Sequence, residues 1–209
     1  KTFNQSERTN LYKIKIDKLK NNGRLYPCFE TAEELSLKKK SLLSSGKPPI
    51  YDRSALLLSK DEINQKLNSG IKCHWRFKLN DELINWDDLI KGNVKFDPKN
   101  LSDPILIRED GSLLYHLPSV IDDIEENITH IIRGEDHISN TAFHVQIFKA
   151  LDAKVPFFAH HPFITDQEGK GFGKRIGSLS IENLRYEGYE DIAIINYLIN
   201  IGSSEDIKP

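Results

Sequence analysis

The chain has 209 residues, 38% of them hydrophobic and 29% charged, and a formal charge of −2 from 29 basic and 31 acidic side chains. That length fits one or two domains, and the apolar share is enough to build a core. Near-neutral charge argues neither for nor against a nucleic-acid partner. Two cysteines exclude a disulfide framework and point to a reducing cytoplasm, and no apolar run approaches the roughly 20 residues that span a bilayer.

A helix is predicted over 6–22, with Ser6 as its cap, Leu11, Ile14 and Leu19 at helical spacing, and Gly23 as the stop. A short strand over 24–29 follows. Thr31-Ala-Glu-Glu34 has the form of a capping box and opens a helix over 31–43. Ser59, with Glu62 three residues on, opens another over 59–68. Pro48 and Pro49 hold the chain between them as a loop. The triplet Lys38-Lys39-Lys40 reads first as a solvated helix face and only second as an RNA contact. Trp75, Phe77 and Leu79 alternate with Arg76 and Lys78, which is strand periodicity. Ile105 to Ile107 and then Glu109-Asp110-Gly111 read as strand and turn, so the first half of the chain is a small α+β unit.

The character changes near Leu113. An apolar, β-rich run over 129–133 ends in Arg133-Gly134, and a helix follows at once, capped by Ser139, Asn140 or Thr141. Phe143, Ile147 and Leu151 share one face of it, and a second short apolar run occupies 157–164. This β-α-β order predicts parallel strands covered by helices, an α/β fold. A glycine-rich basic stretch over 169–177 leads into helices over 180–186 and 191–199.

Two places carry chemistry. Arg133-Gly134-Glu135-Asp136-His137 lies at the carboxyl end of a predicted strand, where open α/β sheets bind ligands. An arginine there suits a carboxylate ligand, and Asp136 could accept from the hydroxyls of a ribose. An ion pair from Arg133 to Asp122 or Asp123 is an equally weighted alternative. The second place is Gly169-Lys170-Gly171-Phe172-Gly173-Lys174-Arg175, whose free backbone N–H groups and cations suit phosphate oxygens. Its spacing is not that of a Walker loop, and a surface hairpin is the competing reading. Cys28, Glu30, Cys73 and His74 lack the tight spacing of a structural zinc site. His160-His161 reads as buried or ligand-contacting, not metal-binding, and no strand–Gly-x-Ser-x-Gly–helix nucleophile is present.

The run from Tyr115 to Asp123 and the run from Thr129 to Thr141 closely resemble glutamyl-tRNA synthetases. So do Phe3 to Arg8 with Leu11-Tyr12, Tyr51-Asp52-Arg53, and Asp103 to Arg108, in order along the whole chain. The resemblance implies part of a class I Rossmann catalytic domain: the end of its first half over 1–26, an inserted α+β acceptor-stem-binding domain over 27–113, and its second half over 114–165. A signature loop and the start of a helical stem-contact domain would occupy 166–209.

The same resemblance implies roles. Arg133 would hold the glutamate side-chain carboxylate, with Tyr115 and Ser119 in the same pocket. Asp136 and His137 would lie by the ATP ribose, and the backbone of Phe163 and Ile164 by the adenine. Gly171, Phe172, Gly173, Lys174 and Arg175 would form the signature loop, with Lys174 stabilising the triphosphate. Gly171 and Gly173 replace a lysine and a serine of that loop, and Lys170 stands one position early. The relatives' Cys-x-Cys knuckle is reduced to Cys28-Phe29-Glu30, so no structural zinc is expected. The implied protein is a cytoplasmic, monomeric glutamate–tRNA ligase that uses ATP and Mg2+, acts on L-glutamate and tRNA, and has no membrane partner. The chain alone is expected to be an inactive piece of it. The alternatives are a shorter paralogue that glutamylates a modified anticodon base and a non-catalytic remnant that grips acceptor stems.

Overall fold

The computed structural model describes residues 2–164 and 180–201, which fall into two compact units divided between His161 and Pro162. In the first unit, helix α1 (Thr9–Asn21) leads through Gly23 to strand β1 (Leu25–Cys28). Helices α2 (Ala32–Ser44) and α3 (Lys60–Asn68) follow. Both begin with the reciprocal bonds of a complete capping box, Thr31 with Glu34 and Ser59 with Glu62. Ser6 does not cap α1. It lies in a short 3-10 turn, Gln5–Glu7, and the position before the helix is Arg8, whose side chain makes no capping bond.

Strands β2 (His74–Phe77), β3 (Ile84–Asp88), β4 (Gly92–Phe96) and β5 (Ile105–Ile107) come next. β1, β2 and β5 form an antiparallel sheet in that order. Behind it, Asp103 is a buried junction. Its carboxylate accepts from Arg53 Nε and Nη2, both at 2.9 Å, from Tyr26 Oη at 2.7 Å and from Leu79 N–H at 2.9 Å. Arg53 reaches it from a left-handed backbone, φ 57°.

Helix α4 (His116–Glu125) has no counterpart in the sequence-based expectation. Pro118 in its first turn obscures it, although a proline there removes only an N–H that the helix start leaves unbonded in any case. Leu117, Val120 and Ile121 bury one side of α4. Asp122 ties it to the start of the chain, accepting from Tyr12 Oη at 3.0 Å and Gln5 Nε2 at 2.7 Å and pairing with Arg8 at 3.3 Å.

Strand β6 (His130–Gly134), helix α5 (Ile138–Ala150) and strand β7 (Phe157–His161) form the expected β-α-β crossover, with β6 and β7 parallel. None of Ser139, Asn140 and Thr141 caps α5. A 3-10 turn, Glu135–His137, precedes it, and His137 is the cap position without a side-chain bond. The second sheet runs β4-β3-β7-β6. The β3–β4 hairpin, from the stretch 27–113, therefore joins the sheet of the crossover, with Asp88 beside Phe158 in parallel register. One core runs through the unit and includes Leu19, Phe77, Leu106, Ile121, Phe148 and Phe158. The second unit contains α6 (Ile181–Tyr186), capped by Ser180, and α7 (Asp191–Asn200).

Candidate functional site

Arg133 occupies the carboxyl end of β6, the position expected from the β-α-β order. Three side chains, none of them an acid, hold its guanidinium. Nη1 donates to Tyr115 Oη at 3.0 Å, Nη2 to Thr141 Oγ1 at 2.6 Å, and Nε points at His160 Nε2 at 3.4 Å. The competing expectation, an ion pair to Asp122 or Asp123, is not met among the described residues. Asp122 is engaged by Tyr12, Gln5 and Arg8, and among the described residues Arg133 makes no ion pair. Burial pushes the Arg133 pKa down, opposed by Tyr115, Asp123 and Asp136. The site thus holds a partly desolvated cation whose remaining N–H groups meet no carboxylate among the described residues, an arrangement that a ligand anion would complete.

Tyr115 stands just before α4, 47% exposed. Its ring centroid lies 5.7 Å from that of His137 and 5.6 Å from that of His144. Ser119 is one helical turn further on, on the same face of α4, and its N–H donates to Tyr115 O at 3.2 Å. Asp136 and His137 lie in the turn between β6 and α5, with His137 Nε2 3.7 Å from Asp136 Oδ2 and His137 Nδ1 3.0 Å from Asn140 Nδ2. Tyr115, Ser119, Arg133, Asp136 and His137 therefore all belong to one strand end and the two helix starts beside it.

Phe163 and Ile164 belong to the second unit, where both are exposed. Gly171, Phe172, Gly173, Lys174 and Arg175 lie outside the described residues.

Histidines dominate the surroundings of Tyr115. His116 Nδ1 and His144 Nε2 are 3.1 Å apart. Burial, with the positive charge of Arg133, pushes His116 down to about 4 and His144 down to about 2, so both rings are neutral near pH 7. On the other side of Arg133, His160 and Asp88 form a buried pair through Nδ1 and Oδ2. Burial alone would raise the Asp88 carboxyl. Hydrogen bonds from the His160 ring and from the N–H groups of Lys91, His160 and Ile90 outweigh it and hold Asp88 well below the usual carboxylate range.

Asp88 and Thr141 were not singled out from sequence for this place. A signal for Asp88 existed: in Ile84-Asn-Trp-Asp-Asp88 burial alternates, and Asp88 takes an inward position that its neighbours fill with Ile84 and Trp86. Thr141 was read as a helix cap, whereas its hydroxyl bonds Arg133, His160 Nε2 at 2.9 Å and His137 O at 3.2 Å.

The zinc-knuckle position is closed by protein groups. Glu30 Oε1 accepts from Tyr51 Oη at 2.8 Å and Ser54 Oγ at 2.9 Å, and Tyr51 Oη lies 3.7 Å from Cys28 Sγ. Lys38 of the lysine triplet is drawn into the same cluster, pairing with Asp52 at 3.1 Å. Among the described residues no three or more His, Cys, Asp or Glu are grouped to hold a metal ion, and no helix is long and apolar enough to cross a membrane.

The chain resembles known proteins along nearly its whole length. Residues 1–208 match the family described as tRNA synthetases class I (E and Q), catalytic domain. A glutamate–tRNA ligase 2 of Beijerinckia indica is 50% identical over 211 residues, covering 100% of this chain and 47% of that protein. A glutamate–tRNA ligase of Azospirillum brasilense is 53% identical over 192 residues, covering 91% and 43%. The crystal structure of a glutamate tRNA ligase from Elizabethkingia meningosepticum, in complex with its amino acid, superposes with a TM-score of 0.83 at 29% identity, covering 94% of this chain and 45% of that one. The chain spans about half the length of the relatives it matches.

Proposed function

The chain belongs to the class I tRNA synthetases for glutamate and glutamine, catalytic domain, and from that membership we propose that it is part of a glutamate–tRNA ligase. The observation that carries the choice of amino acid is Arg133: a half-buried cation at a strand end, oriented by three side chains, none of them an acid, and unpaired with any described carboxylate. Such a group selects a side-chain carboxylate over an amide, because it supplies only donors and a charge.

In this reading Arg133 takes the glutamate side chain, with the Tyr115 hydroxyl and Ser119 beside it. Asp136 and His137 meet the ribose of ATP, and the backbone of Phe163 and Ile164 meets its adenine. Lys174, with Gly171, Phe172, Gly173 and Arg175, stabilises the charge of the triphosphate as pyrophosphate leaves. Mg2+ would enter with ATP and offset the charge of its triphosphate. The glutamyl adenylate then passes its acyl group to the terminal adenosine of tRNA, which the stretch 27–113 grips by the acceptor stem. Alignment and charge stabilisation carry the rate, with no covalent protein intermediate. In the same reading the whole protein works in the cytoplasm as a monomer.

The test is glutamate-dependent ATP–pyrophosphate exchange by the full-length protein, with and without tRNA, beside Arg133→Ala and Lys174→Ala. Exchange that requires glutamate and falls by about a hundredfold or more in each variant supports both roles. No exchange under any condition sinks the ligase reading in favour of a non-catalytic acceptor-stem binder.

A further inference from the structure

The least expected feature of the first unit is a polar chain that starts on the β3–β4 hairpin and ends on Arg133. Asp88 closes β3 with both oxygens engaged. Oδ1 accepts from the N–H groups of Ile90 at 3.1 Å, Lys91 at 3.0 Å and His160 at 3.1 Å, and Oδ2 meets His160 Nδ1. The Asp88 and His160 side chains are fully buried. An ionised carboxylate only accepts, so Nδ1 of His160 carries a proton, and Nε2, at which the Arg133 Nε–H points, serves as the acceptor. Nε2 faces Thr141 Oγ1 at 2.9 Å and Arg133 Nε at 3.4 Å. Thr141 Oγ1 accepts from Arg133 Nη2 at 2.6 Å and divides its single proton between Nε2 at 2.9 Å and His137 O at 3.2 Å, the shorter contact being to Nε2. The Phe158 ring stacks on His160 and lies 5.8 Å from the guanidinium, closing the chain from one side.

We infer that Asp88, His160 and Thr141 are positioning residues for Arg133: they fix the tautomer of one ring and the hydroxyl direction of one threonine, so that the guanidinium presents its remaining N–H groups at one angle. The inference rests on the reading of Arg133 as the glutamate-side-chain ligand. A carboxylate is held well only when both N–H···O directions are right, so a loosened guanidinium weakens glutamate binding without touching the reacting atoms. The expected signature is a raised KM for glutamate with kcat nearly kept.

Asp88→Asn tests the tautomer. The amide oxygen can keep the backbone bonds while its NH2 faces Nδ1, which drives the ring proton to Nε2, toward Arg133. Thr141→Val removes the acceptor for Nη2 at nearly constant volume, and Thr141→Ser restores it. In the full-length protein, Thr141→Val and Asp88→Asn are expected to raise the glutamate KM about tenfold or more, with Thr141→Ser within about threefold of the parent. Long-range 1H–15N spectra of 15N-histidine-labelled protein are expected to show His160 as the Nδ1–H tautomer, and as Nε2–H in Asp88→Asn. If Asp88→Asn does not fold, the valine and serine pair decides. Thr141→Val with an unchanged glutamate KM, while Arg133→Ala raises it, overturns the positioning role and leaves the ligand reading standing. An unchanged glutamate KM in Arg133→Ala overturns the reading beneath it.

Discussion

Arg53 and Asp103 lie 50 residues apart in sequence, yet two hydrogen bonds of 2.9 Å join the guanidinium to a carboxylate with no solvent exposure. Asp103 also satisfies Tyr26 Oη and Leu79 N–H, so one side chain joins β1, Arg53 in the connection between α2 and α3, and the stretch just after β2 at Leu79. Removing the acid leaves Arg53 only Asp81, 3.2 Å from Nη1, as an acid partner and strips the buried Tyr26 hydroxyl and Leu79 N–H of their acceptor. Asp103→Ala is expected to destabilise the full-length protein by about 3–5 kcal/mol, read as a fall in the midpoint of urea unfolding. A loss under about 1 kcal/mol would show that water replaces the carboxylate.

Tyr115→Phe keeps the ring among His116, His137 and His144 but removes the acceptor for Arg133 Nη1. A hydrogen bond to a charged group is lost with little change in packing. The glutamate KM in pyrophosphate exchange is expected to rise about tenfold, with thermal stability unchanged to within about 1 kcal/mol.

The pH dependence of stability has a definite sign. His116 and His144 are depressed to about 4 and about 2, so below pH 6.5 the unfolded chain binds protons that the folded chain refuses, and stability falls as pH falls. Asp123 acts oppositely. Burial raises it to about 6, so the folded chain holds its proton first, and its penalty on folding fades from pH 6 towards 3.8. Two histidines against one aspartate leave a net loss of about 1.4 kcal/mol per pH unit over the lower part of this window. Unfolding of the full-length protein by urea at pH 7, 6, 5 and 4.5 measures it, and His144→Gln is expected to flatten the slope.

Thr31 and Ser59 each complete a capping box on separate exposed helices. Thr31→Ala and Ser59→Ala are each expected to cost about 1 kcal/mol, and the double variant their sum, because the boxes share no partner. Strong non-additivity in the unfolding midpoints would mean that α2 and α3 support each other.

These caps were legible in the sequence because donor and acceptor lie three residues apart, within reach of a local rule. The β6-α5-β7 crossover and Arg133 at its strand end were legible for a related reason: periodicity and chain order set where a strand ends. The places where reading failed depend on distant partners. Asp88 meets His160 across 72 residues, and the bond exists only because β3 pairs with β7. Thr141 looked like a cap because threonine near a helix start usually is one; here Arg133 and His160 compete for its hydroxyl and win. Helix α4 was hidden by Pro118, whose cost depends on which turn it occupies.

The strand order β4-β3-β7-β6 leaves β6 with β7 as its only described neighbour, and Ile132 on it is 69% exposed. A free margin of this kind offers a row of backbone donors and acceptors to any extended segment that reaches it. Wherever nothing covers that margin, the protein should self-associate along it at high concentration. A peptide able to add a strand there should compete and restore a monodisperse solution, which gives a practical handle on expression and crystallisation.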